Sequence, residues 1–176
     1  MTDAAHAGAA AERPLAITSS ARSRIVRAWL FTALSDGLFA SVLGKFFLGS
    51  TVTRVWQGVA AVLIPSAFDL GTAGAAIGIL MHIGVALTWS VVFFLIYERS
   101  PWIRHLVGTR YGALKVASVY GPCIWLFMSL VVIPLFLHRP PSFPPRWWVQ
   151  LVGHIPFVAM PIVTQIGRDA RTGVRG

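Results

Sequence analysis

Acidic residues are scarce in this chain: six Asp and Glu stand among 176 residues, against fifteen Lys and Arg. Charged residues of both signs reach only 12%, where a soluble domain carries about 25%. With 56% of its residues hydrophobic, the chain has more apolar surface than one water-soluble core of this size can hide. Cysteine occurs once, at Cys123, inside an apolar run. That excludes an intrachain disulfide framework and a cysteine metal site, and it predicts a small buried side chain there. No CxxCH, HExxH or paired-carboxylate pattern occurs, so nothing marks an enzyme. Met1 to Ser23 contains no apolar run and lacks the hydrophobic region of a cleaved signal peptide. Residues 1–23 are expected to form a disordered cytoplasmic tail, with the first membrane helix as an uncleaved anchor.

What the sequence does contain is long apolar runs. Segments of about 26–47, 72–97, 111–137 and 147–166 each reach the roughly 20 residues that a spanning helix needs. Nothing from Leu70 to Tyr97 carries a charge at neutral pH. The fold class expected is all-α, a four-helix transmembrane bundle over residues 24–171, followed by a cytoplasmic tail at 172–176. Between the first two spans, residues 52–66 are too short to cross. Val52, Val55, Trp56, Val59, Val62 and Leu63 recur there at helical spacing, opposite Thr53, Arg54 and Gln57. This pattern predicts a short interfacial or re-entrant helix ending near Pro65, with a fifth spanning helix as the alternative.

The net charge of +9 is confined to segments between the apolar runs. That distribution serves topology and contact with anionic lipid, and it excludes a nucleic-acid groove. One side of the expected membrane receives Arg13, Arg22, Arg24, Arg27, Arg99, Arg104, Arg110, Lys115, Arg168, Arg171 and Arg175. The other receives only Lys45, Arg54, Arg139 and Arg146. Both termini are therefore expected in the cytoplasm, in a bacterial inner membrane. His138 to Trp148, HRPPSFPPRWW, becomes a stiff external loop, with Trp147 and Trp148 at an aromatic belt and Trp102 at the opposite interface.

Small residues mark where helices approach in lipid. Gly74, Gly78, His82, Ala86 and Ser90 form one stripe; Ala113, Ala117 and Gly121 form another; Ala33, Gly37, Ala40, Ser41 and Gly44 lie on the first helix. Pro122, Pro134, Pro156 and Pro161 should kink the last two helices and free carbonyls that neighbours must satisfy.

Ionisable groups inside a membrane are costly and face the bundle interior. Asp36, His82 and His154 fall at similar depth by helix rise, and Gln150 shares a face with His154. They are expected to converge in one polar cluster. Three roles stay open: a hydrogen-bonded cluster that fixes register, a proton or ion path, or a cofactor site. In the last, His82 and His154 would be the two axial ligands of a haem, or part of a metal site with Asp36.

The segments GILMHIGVALTWSVVFFLIYERSP, YGALKVASVYGPCIWLFMSLVVIPLF and LVGHIPFVAMPIVTQIGRDAR resemble the small four-helix bacterial inner-membrane proteins of the YagU-like type. The similarity runs from about Arg54 to Arg171, with His82 and His154 matching the histidines of that pattern, while Asp36 has no clear counterpart. The resemblance implies an inner-membrane protein without an assigned biochemical activity. Two functions are expected from the chain: a structural or accessory subunit, docking on a membrane-protein partner or on copies of itself, or a proton-conducting or haem-binding protein using Asp36, His82 and His154.

Overall fold

Hydrocarbon offers no water to a backbone N–H or C=O, so a spanning chain must satisfy these groups within helices. A computed structural model describes residues 19–168, and every regular element among them is helical. The elements are α1 (Ser19–Leu48), α2 (Val52–Ala60), α3 (Gly71–Arg99), α4 (Pro101–Gly108), α5 (Gly112–Leu137) and α6 (Pro145–Ile166), with a 3-10 turn at Pro65–Phe68. Helices α1, α3, α5 and α6 are each long and apolar enough to cross a membrane. The chain is a multi-pass membrane protein built as a four-helix bundle. Residues 1–18 and 169–176 of the expected tails, with Arg13, Arg171 and Arg175, lie outside the described residues.

The start of α1, the end of α3 and the end of α6 meet at one end of the bundle, called proximal below. Here Phe93, Val107, Ile162, Val163 and Ile166 are fully buried. The first turns of α1 belong to this core through Ala21 and Ile25. That packing continues the helix back to Ser19, into the stretch expected as tail. Arg24 closes the end: it donates to Glu98 Oε1 on α3 at 2.9 Å and to the Ile166 carbonyl on α6 at 3.2 Å. Its guanidinium also lies 5.3 Å from the Phe94 ring centre.

Helix α4 was not expected in the basic connection. Pro101 occupies its first turn and the Ser100 hydroxyl accepts the Ile103 N–H at 3.3 Å, the usual pair of start signals. Val107 seats α4 against Gly167, where a Cβ would collide with it. Arg104 donates to the Tyr97 and Glu98 carbonyls and so caps α3.

Helix α2 departs from the expected polarity. It buries Trp56, Gln57 and Ala60, whereas Val52 and Leu63 are exposed. Gln57 does not face outward; its Nε2 donates to the Gly71 carbonyl at 2.8 Å, joining α2 to the start of α3. The reason is close approach to α3: a Cβ at Gly78 would strike the Trp56 carbonyl, and one at Gly74 the Ala67 carbonyl. A helix wedged this tightly buries residues from both sides of a simple amphipathic pattern.

Gly74, Gly78, Ala86 and Ser90 are buried on α3, and Ala113, Ala117 and Gly121 on α5. Cys123 is exposed rather than buried, because it lies off the inward stripe of α5. Both proline-bearing helices widen into π turns, at Met128–Val132 and Ile155–Ala159. A π turn is a common way for a helix to absorb a missing or displaced hydrogen bond.

Candidate functional site at the centre of the bundle

Asp36 on α1 meets His82 on α3. The His82 Nε2 lies 3.0 Å from the Ala33 carbonyl. A carbonyl only accepts, so Nε2 carries the hydrogen. Its Nδ1 faces Asp36 Oδ2 at 3.7 Å, within ion-pair reach but beyond a hydrogen bond. Gly37 leaves room for Trp56 beside them: a Cβ there would sit a tight 3.3 Å from Trp56 Cη2 and an ordinary 3.5 Å from His82 Nε2. Trp56 closes the remaining flank, its ring 5.1 Å from the imidazole in an edge-on contact.

His154 is buried at the junction where α6 passes into its π turn. Its Nδ1 donates to the Gln150 carbonyl one turn back, at 2.7 Å. The ring lies 4.9 Å from that of Trp125 on α5. Backbone contact fixes this position, because a Cβ on Gly121 of α5 would strike the His154 carbonyl. Asp36 interacts electrostatically with both histidines, but His82 alone comes within 4 Å of it among the described residues. Gln150 contributes its backbone oxygen to His154 and lines a separate cavity toward the other, distal end.

A bis-histidine haem needs one unprotonated nitrogen from each ring on opposite sides of a flat slot. His82 instead directs Nε2–H at a backbone oxygen and Nδ1 at a carboxylate, with the Trp56 ring against its flank. These residues do not fit a haem. No group of three His, Cys, Asp or Glu side chains suited to a metal ion is found among the described residues.

Other cross-helix hydrogen bonds surround the site, from residues that sequence reasoning did not single out. The Trp29 indole donates to the Ile83 carbonyl at 2.8 Å, and the Tyr120 hydroxyl to the Trp89 carbonyl at 2.7 Å. The Ser35 hydroxyl lies 2.6 Å from the Phe157 carbonyl, and that of Thr32 3.4 Å from the Val158 carbonyl. The available signal was the proline at 161, which offers no N–H to the carbonyl one turn earlier. Comparison with family models finds no match to this chain, and comparisons with curated proteins and with solved structures find none either.

Proposed function

We propose that this chain is a structural or accessory subunit of a bacterial inner-membrane assembly, with both termini cytoplasmic and no catalytic chemistry of its own. The observation that carries this is the His82 Nε2–Ala33 carbonyl bond at 3.0 Å. It commits the most prominent intramembrane histidine to holding α3 against α1. Trp29, Tyr120 and Gln57 also tie helices through backbone oxygens, the arrangement expected of polar residues that fix register. A path to the cytoplasm would have to pass the fully buried apolar proximal core of Phe93, Ile162, Val163 and Ile166. The orientation rests on the basic residues at the proximal end, and the inner-membrane placement is part of the proposal.

One observation favours a second role within the same frame. With Nε2 on the Ala33 carbonyl, the His82 Nδ1 faces Asp36 Oδ2 at 3.7 Å. The pair is thus a facing acid and base as well as a clamp.

Purification from native membranes in mild detergent tests the subunit role: the chain should elute with partners or as a homo-oligomer, and a free monomer alone would count against it. Proton flux into proteoliposomes separates the second role from conduction. No flux is expected. Flux in the wild type that Asp36→Asn abolishes would replace the structural role with a relay.

A further inference from the structure

At the distal end, α5, the proline-rich loop and the start of α6 border a half-open cavity of about 340 Å³. Trp125, Ser129, Arg139, Ser142, Arg146, Trp147 and Gln150 supply its polar residues, and no acidic side chain lines it. Arg139 and Arg146 make no ion pair or hydrogen bond among the described residues. Trp147 is 7% exposed and Ser129 8%. The Trp125 and Trp147 indole nitrogens and the Ser129 hydroxyl are shut away behind this wall, with no hydrogen-bond partner among the described residues.

We propose that this cavity binds a phosphate-type oxyanion. Every ionised group on its wall is positive and neither arginine has a counter-charge there, so the ligand that complements the wall is an anion. Arginine suits this chemistry, since its planar fork pairs with two oxygens of one phosphate. Pro140, Pro141 and Pro144 fix the backbone of the loop that carries Arg139 and leads to Arg146. The backbone of the site therefore loses little freedom when it is filled, and the cost of binding falls on the two exposed arginine side chains. Ile133 and Leu137 add an apolar wall, which also accommodates the glycerol end of a phospholipid. The ligand is thus either a soluble phosphate or the headgroup of an anionic lipid. The inference is independent of the role proposed for Asp36 and the histidines.

Full-length protein in phosphatidylcholine nanodiscs, followed by tryptophan emission, provides the test. One arm titrates inorganic phosphate against potassium chloride at equal ionic strength. The other raises the fraction of phosphatidylglycerol in the discs. A saturable change in either arm is expected, with apparent affinity at least tenfold weaker in Arg139→Gln/Arg146→Gln, at unchanged helix content. Saturation by inorganic phosphate identifies a soluble anion; saturation by phosphatidylglycerol alone identifies a headgroup. No saturable response in either arm, the same response to potassium chloride, or an undiminished response in the double variant would overturn the proposal.

Discussion

The backbone carbonyl of Trp56 in α2 occupies the place where a side chain on Gly78 of α3 would begin. This contact lets a nine-residue helix too short to cross the membrane sit inside the bundle and bring the Trp56 ring to His82. Gly78→Ala must therefore push α2 away. A loss of about 1–3 kcal/mol is expected, the usual cost of overpacking. Gly84 lies on the same helix with open space where its Cβ would be. Gly84→Ala should be neutral or gain up to ~1 kcal/mol from helix propensity. Reversible unfolding in mixed micelles compares the two, and equal effects would refute the close seating of α2.

Arg24 holds three helix ends together, but its contacts differ in worth. Its side chain is 12% exposed and that of Glu98 39%. The ion pair is half in solvent and should contribute no more than about 1 kcal/mol. The bond to the Ile166 carbonyl and the packing on Phe94 are more sheltered. Glu98→Gln is expected to cost less than ~1 kcal/mol and Arg24→Ala about 2 kcal/mol or more, since the latter also removes a charge-assisted bond and buried stem contacts. A chemical-unfolding series on the two variants checks the order. If Glu98→Gln proves the more damaging, the ion pair dominates after all.

The spanning helices were legible because hydropathy reports the solvent, and Gly71–Arg99 carries no charge until its last turn. The inward stripes of α3 and α5 were legible because close approach demands small residues. Asp36, His82 and His154 could be named as costly groups in hydrocarbon. Which of them would touch was not legible: the Asp36–His82 contact depends on how α1 rotates about Gly37, and that rotation is set by Trp56 from a different segment. Gln57 was misplaced for a related reason. Helical spacing assigns one polar face, whereas a helix wedged between two others buries parts of both. The cavity under the proline-rich loop left only residue types in the sequence, and their convergence needed the π turn at Met128–Val132 that sets the course of α5 toward its distal end.

Ser100 should be the point at which α4 can be undone selectively. Its hydroxyl accepts the Ile103 N–H, and Ser100→Ala removes one N-cap, at a cost of about 0.5–2 kcal/mol. Most of that loss should stay local, with faster hydrogen exchange of the amides from Ile103 to Val107 and little change in α3. Exchange that rises equally along α3 and α4 would show instead that the two helices open as one unit.

Ser35 and Pro161 should be energetically coupled although they lie on different helices. Proline at 161 supplies no N–H to the Phe157 carbonyl, and the Ser35 hydroxyl reaches that oxygen at 2.6 Å. Ser35→Ala then leaves the carbonyl without its cross-helix donor, a loss of about 1–3 kcal/mol for a polar group left unpaired in hydrocarbon. Pro161→Ala restores a backbone N–H on α6 itself, so the same serine substitution should matter less in that background. A double-mutant cycle on unfolding free energies is expected to give a coupling of about 0.5–1.5 kcal/mol, within the range for residues that share one partner. Strict additivity would mean that the carbonyl is served from elsewhere. In that case the single Ser35 O–H is given instead to the Phe31 carbonyl on its own helix at 2.7 Å, and the π turn of α6 is held without help from α1.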